Sequence, residues 1–495
     1  MKEQILHHCL KKGILLDSGA LNFLDSFRDF AQVAIIIEKI DPSHGNIITK
    51  NILSEQIINN EEKKEEKRFR DEDYKLIEPR VDIVSSWVLP ARKIVVGDFV
   101  KHFRSRFIEI SKIIQSRTES ENLASINRIS GNRQNVSIIG IVSDKRITKN
   151  KNILLEIEDL TGRTVCLVNQ NKEKVYSIAK DVVLDDIILL RCSGSREMLF
   201  VNDIVYPDMF LSNKKKSPVE ENVLFTSDLH VGSNKFLEDN FLKFIDWING
   251  KNHKTSDSDK VKYLFIVGDL IDGAGIYPGQ EHELNIKTIK DQYNMVAELL
   301  SKIRKDVKII LCAGNHDSLR MVEPQPLLDL KYAENLYELK NIIMTTNPST
   351  VNIAARKDFQ GFNVMMYHGY SFDYYANNVD YLRVNQAYQN PEMITNFLFK
   401  RRHLAPTHSS TLLFPHSEDS MIIKEVPDVF VSGHIHKSGI SHYKDVIVIS
   451  ASCWQGRTAF QEKVGHIPDP CKVPLLNLKT RSIKVLDFSG EENDK

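Results

Sequence analysis

The sequence predicts a multidomain α/β protein, and three observations predict it. Its 495 residues exceed what one compact core holds, at roughly 150 residues per domain. Between residues 131 and 212 the chain breaks into short β-forming runs, the pattern of a small barrel. From Asn222 onward apolar strands alternate with amphipathic helices, the rhythm of a layered α/β domain.

Composition sets limits on function. With 42% hydrophobic and 27% charged residues, the chain is neither disordered nor collagen-like. Lys+Arg and Asp+Glu both total 66, a net charge of +0, so any contact with nucleic acid is local and not the work of a broad basic field. Cys9, Cys166, Cys192, Cys312, Cys453 and Cys471 show no metal-binding spacing, and the N-terminus has no signal-peptide pattern. They read as reduced thiols of a cytoplasmic protein. No apolar run approaches the ~18 to 20 residues of a membrane span, since Asp269 and Lys308 interrupt the most hydrophobic strands; no membrane partner is expected.

Residues 1–60 read as a small helical module, because Phe23, Phe27, Phe30 and Ala34 recur three or four apart with polar residues between. Residues 61–80 form a charged linker. Its mixed-sign run Glu61 to Arg68 cannot bury apolar surface and is a solvated helix or linker, or else a binding tail. Residues 81–130 read as a connecting helical segment, with an amphipathic stretch from Phe99 to Ile114. Within residues 131–212 the runs Val136–Val142, Ile153–Ile157, Thr164–Val168, Ile187–Arg191 and Leu199–Val205 give the five strands of an OB-type barrel. Lys145, Arg146, Lys149 and Lys151 offer charge for a single strand. Stacking aromatics are nearly absent, which favours a module that docks on its neighbour. The charged, Pro-containing stretch 213–218 marks a boundary, and residues 220–490 form the α/β domain.

In that domain each apolar strand runs into a polar cluster: Asp228-Leu229-His230, Gly268-Asp269-Leu270-Ile271-Asp272, Gly314-Asn315-His316-Asp317, His368-Gly369 and Gly433-His434-Ile435-His436. Residues beyond strand ends of an α/β sheet gather in one crevice. Carboxylates, an amide oxygen and imidazoles without a thiolate suit divalent ions such as Mn²⁺, with Zn²⁺ or Fe²⁺ as alternatives. Asp228 and His230, like His434 and His436, stand two apart, so an extended backbone is expected to aim both members of each pair to one side. Singly, each cluster is a common turn or cap; Val96-Gly97-Asp98-Phe99 has a similar Gly-Asp without partners. Together, in this order and each after an apolar strand, they leave chance a poor account and point to a divalent-metal centre.

The clusters resemble the calcineurin-like metallophosphoesterases, whose pattern DxH, GDxxD, GNH[DE], HG, GHxH is complete between Asp228 and His436. Thr226 to Ser233, Tyr367 to Ser371 and the OB-like region in front look like the small, exonuclease subunits of archaeal family D DNA polymerases. The resemblance implies an α/β sandwich with two divalent ions, Mn²⁺ first among them. Asp228, His230 and His436 would hold one ion, Asn315, His368 and His434 the other, and Asp269 would bridge both. His316 would be the catalytic histidine that assists the leaving group, and Asp272 and Asp317 would orient ligands. It further implies 3′–5′ exonuclease action on DNA, as the proofreading partner of a large catalytic polymerase subunit, near the nucleoid in the cytoplasm.

Competing readings are a recombination-repair nuclease of the same superfamily, a phosphomonoesterase, and a noncatalytic scaffold subunit. A repair nuclease usually begins with its phosphoesterase domain, whereas here the OB-like region comes first. A scaffold would be expected to lose ligands. Residues 400–408, Lys-Arg-Arg-His-Leu-Ala-Pro-Thr-His, either line a DNA path or form a solvated basic loop.

Overall fold

The computed structural model describes residues 2–11, 14–25, 33–34, 37, 47–49, 79–87, 92–117, 122–129, 131, 133–211, 213–251, 257–317 and 319–490. The expected charged run Glu61 to Arg68, and Phe27 and Phe30, lie outside the described residues. The chain forms two compact units, Met1–Glu78 and Pro79–Lys495.

In the first unit, helices Lys2–Lys11 and Ser18–Asp25 place Ile5 and Cys9, and Ala20 and Leu24, one turn apart on buried faces. The short strands β1 (Leu15–Leu16) and β2 (Ile47–Ile48) pair in parallel, a detail that helical periodicity alone does not announce.

The second unit opens with strand β3 (Val81–Ser85) and helix Val96–Arg117. The segment expected as a purely helical connection therefore includes a strand. Asp98, in the isolated Gly-Asp, starts the helix: its Oδ2 accepts from Val95 N at 2.9 Å and from Arg92 at 2.6 Å. An OB-like barrel follows, from β4 (Arg133–Ile147), β5 (Ile153–Glu158), β6 (Arg163–Val168), β7 (Ile187–Ser195) and β8 (Met198–Val205), closed in the order β4-β5-β6-β8-β7. Strict alternation in β5 and β6 sends Ile153, Leu155, Ile157, Cys166 and Val168 inward.

Two six-stranded sheets form the α/β sandwich. The first contains β9 (Asn222–Thr226), β10 (Val261–Val267), β11 (Lys308–Cys312), β12 (Ile342–Met344), β18 (Lys472–Asn477) and β19 (Ile483–Asp487), ordered β12-β11-β10-β9-β18-β19. The second is ordered β16-β17-β15-β14-β13-β3, with β13 (Ser349–Ile353), β14 (Phe362–Met366), β15 (Val429–Ser432), β16 (Gly439–Tyr443) and β17 (Val446–Ser450). Strands β9 to β12 run parallel, as do β14, β15 and β17. The central strands β9, β10, β11, β14, β15 and β17 are mostly apolar and almost wholly buried, whereas edge strand β12 is only half-buried. Phe225, Phe265 and Ile310 meet Val364, Val431 and Ile449 between the sheets. Helices Glu238–Ile248 and Ile289–Ser301 cover one outer face, with Phe241, Phe244, Ile245 and Ile248 at helical spacing. Helices Phe372–Asn378 and Glu392–Arg401 cover the other.

Most of segment 400–408 is packed inside the protein and is not a solvated loop. Arg401, Arg402 and His403 are buried. Arg401 donates to Asp186 of the barrel at 2.8 and 3.1 Å, and Thr407 Oγ1 donates to Leu184 O at 3.0 Å. Arg402 is spent on the carbonyls of Ile423 and Lys424. Of these cations, Arg401 fixes the barrel to the sandwich. Lys145 is likewise engaged, donating to Lys180 O and Val182 O at 2.6 and 2.7 Å.

Candidate metal centre

Each polar cluster begins where one of β9, β10, β11, β14 or β15 ends, so residues from both sheets converge on one edge of the sandwich. The paired ligands do not sit on extended backbone. Asp228, His230, Asp269, His434 and His436 all have positive φ, from 50° to 70°, a region sparsely used by residues with side chains. The turns are held by bonds between loops: Asp228 N to Gly268 O at 3.0 Å, His230 N to Asp269 O at 3.1 Å and Gly433 N to His368 O at 2.9 Å. Such over-determined, strained backbone is typical of functional sites. A side-chain carbon at Gly268 would collide with the His368 ring, and one at Gly314 with the Asp269 carboxylate. Glycine is needed there for close approach.

Three donor groups result, of which two hold the expected ligands and the third, His230, Asp272 and His316, shares His230 with the first. In the first, Asp228, His230 and His436 offer ligand atoms that all lie within 4.8 Å of one another. His230 Nε2 stands 3.1 Å from His436 Nε2, and His436 Nε2 stands 3.3 Å from Asp228 Oδ1. In the second, Asp269, His368 and His434 gather in the same way. His368 Nε2 lies 2.9 Å from Asn315 Oδ1 and 3.3 Å from Asp269 Oδ2. Asp269 Oδ2 also stands 3.8 Å from His230 Nε2, and so reaches toward both groups. His316 belongs to neither of these two but gathers with His230 and Asp272, its ring edge-on to His230 with centroids 4.7 Å apart.

The centre is rich in negative charge at low dielectric. Burial by itself raises the Asp269 carboxyl, but the charges of His368 and His316 and the His368 hydrogen bond hold it well below the usual carboxylate range. Burial opposes charging of His368, yet Asp269 beside it pushes the imidazole up to about 10. Asp228 Oδ1 is buried without a hydrogen-bond donor. An orphaned carboxylate oxygen among convergent ring nitrogens fits a divalent cation, as does the mixed oxygen and imidazole donor set.

A second layer of side chains aims the ligands. Asp272 Oδ1 lies 3.0 Å from His230 Nδ1 and is itself held by Gln455 at 2.9 Å, while Gln280 donates to Asp272 Oδ2 at 3.0 Å. Asp317 touches none of the two donor groups. Its Oδ2 accepts from the backbone of Gly314 and Leu270, and Tyr293 donates to Oδ1. Burial, with Asp269 nearby, pushes Asp317 up to about 7. Sequence reasoning missed Asp373, whose Oδ2 lies 2.9 Å from His434 Nε2, and Gln461, whose amide lies 3.0 Å from His436 Nδ1. Gln280, Gln455 and Tyr293 were equally invisible, since none belongs to a spaced motif.

Residues 221–438 match the family model described as calcineurin-like phosphoesterase. Over 98% of its length the chain is 34% identical to the whole of the DNA polymerase II small subunit of Methanothermobacter thermautotrophicus. It belongs to the DNA polymerase II small-subunit family. The Archaeoglobus fulgidus small subunit is 35% identical over 80% of this chain and 78% of its own length. That of Pyrococcus furiosus is 36% identical over 80% of this chain, which spans 65% of that relative. As a small subunit, the chain combines a metallophosphoesterase-type sandwich, grouped metal donors and an OB-like barrel. Among the described residues no helix is long and apolar enough to cross a membrane, and all six cysteines are free and buried.

Proposed function

We propose that this small subunit is a metal-dependent 3′–5′ exodeoxyribonuclease that hydrolyses phosphodiesters at a dinuclear centre and works beside a large catalytic polymerase subunit. The observation that carries this reading is Asp269, whose one oxygen stands 3.8 Å from His230 Nε2 and 3.3 Å from His368 Nε2. Only a shared carboxylate makes two donor groups into one paired centre.

Asp228, His230 and His436 would hold one ion, Asn315, His368 and His434 the other, and Asp269 would bridge. Divalent ions held there, Mn²⁺ first among them, supply neutralisation of the phosphodiester charge and acidify water near the phosphorus. The protein's own groups do the rest. His368 Nδ1 donates to Val267 O at 2.9 Å, which turns Nε2 inward. His316 Nδ1 donates to Asp272 O at 2.9 Å, which fixes the ring and leaves Nε2 to exchange a proton. As water loses a proton to solvent and bonds to phosphorus, the P–O3′ bond breaks, His316 Nε2 gives its proton to the departing 3′ oxygen, and a mononucleotide leaves. Direction 3′ to 5′ rests on the resemblance to the exonuclease subunits, since the donor set alone specifies phosphoester hydrolysis.

The test is digestion of 3′-labelled and 5′-labelled DNA by the purified chain in Mn²⁺. Mononucleotides released first from the 3′ label support the reading. An inert chain with both metal groups filled would assign it a scaffold role.

A further inference from the structure

Beside the metal centre stands an exposed aromatic side chain. Helix Ala459–Val464 buries none of its residues. Phe460 is 61% exposed, and Val464, one turn on, and Ile467 are exposed with it. This short face is not isolated from the chemistry. Gln461, beside Phe460, is locked by a capping box with Thr458 and reaches His436 Nδ1 at 3.0 Å. Further along the segment, His466 packs on Tyr388 with ring centroids 4.3 Å apart. The Tyr388 hydroxyl donates to Asp373 at 2.9 Å, and Asp373 holds His434. Side chains thus tie residues 458–467 to a ligand in each of the first two donor groups, so the segment that carries the apolar face stands beside the centre.

What covers such a face follows from what the centre would hold. A phosphodiester seated at the metals carries a sugar and base on either side, and an unpaired base presents two broad apolar faces. Exposed Arg457 and Lys463 on the same segment add local charge for neighbouring phosphates. Stacking on an aromatic ring accepts every base, which suits an enzyme that must remove any terminal nucleotide. Bases in a closed duplex are already stacked on one another and cannot use it.

Building on the nuclease reading, we propose that Phe460 is a base-stacking residue that seats an unpaired nucleobase beside the scissile phosphodiester.

The test compares the full chain with Phe460→Ala and Phe460→Trp in Mn²⁺. The binding probe is a 5′-fluorescein single-stranded oligothymidylate closed at its 3′ end by phosphorothioate linkages, read by anisotropy; unprotected 3′-labelled strand gives the KM. Phe460→Ala should bind about tenfold more weakly and raise KM by a similar factor, and Phe460→Trp should restore both. On a strand whose last sugars are abasic, wild type and Phe460→Ala should bind alike, because the stacking partner is gone. If wild type digests the strand and Phe460→Ala matches it in affinity and KM, the base seat is wrong and the nuclease reading stands. If Phe460→Ala weakens only the complex with the large subunit, the face belongs to that partner and the base seat is again wrong. A wild-type chain inert toward every labelled end overturns the nuclease reading and this inference with it. Phe460 is exposed, so the substitutions leave the core untouched.

Discussion

Asp373 Oδ2 lies 2.9 Å from His434 Nε2 and holds the ring by that nitrogen, leaving Nδ1 for the donor group of Asp269 and His368. Tyr388 donates to the other oxygen of the same carboxylate at 2.9 Å, so Asp373 is itself fixed. Burial tends to raise the Asp373 carboxyl, but the neighbouring His434 holds it down at about 2.

Asp373→Asn should therefore weaken occupancy of one metal position by about 10- to 100-fold while leaving the other filled. Calorimetric titration with Mn²⁺ reads this directly, and excess metal should recover part of the activity. Two unchanged binding events would show that the ring needs no such support.

Asp269→Asn should abolish hydrolysis without unfolding the protein, because its carboxylate serves both groups. Circular dichroism checks the fold and nucleotide release checks the chemistry. Near-normal turnover in saturating Mn²⁺ would sink the two-metal assignment.

His316→Ala and His434→Ala should fail differently. A positioned proton donor is worth roughly 10²- to 10⁴-fold in rate, so His316→Ala should keep both ions and lose turnover that added metal does not restore. His434→Ala should lose metal occupancy and regain some activity at high Mn²⁺. An ion lost from the His316 variant would overturn the division of roles.

Asp186→Ala should destabilise the second unit by about 3 to 5 kcal/mol, since it strands a buried guanidinium. The Arg401 and Asp186 side chains are 3% and 0% exposed. Urea denaturation measures the loss. Restoring part of it with Arg401→Met in the same chain would show that the unpaired charge is its cause.

The protein should lose stability on mild acidification. Burial and the Arg106 guanidinium outweigh the Asp419 contact and drop His403 to about 4. An unfolded histidine titrates near 6.5, so the unfolded chain takes a proton that the folded ring refuses. The stabilisation is complete above roughly pH 6.5 and fades as pH falls toward 4, by about 3 kcal/mol in all. His403→Gln should flatten this slope in urea titrations between those pH values; an unchanged slope would place the acid sensitivity elsewhere.

By itself the sequence determined the polar clusters that meet at the candidate centre, though not Asp373 and Gln461, which hold its histidines. Each polar cluster directly follows an apolar strand, and strand ends of one sandwich edge share one crevice. The barrel was legible too, because alternating burial in Ile153–Glu158 and Arg163–Val168 is written in alternating residue types. Only the tertiary structure decided what long-range partners do. Ser85 pairs with Thr350 across 265 positions, a register no local pattern encodes. The positive φ of Asp228 and His434 arises from bonds between loops and not from residue type. Arg401 looked like a solvated or DNA-facing cation until the fold brought Asp186, 215 residues away, against it. A local pattern tells which face of a strand or helix is apolar. Whether a charge meets water, phosphate or a buried carboxylate depends on which distant residue the packing sets beside it.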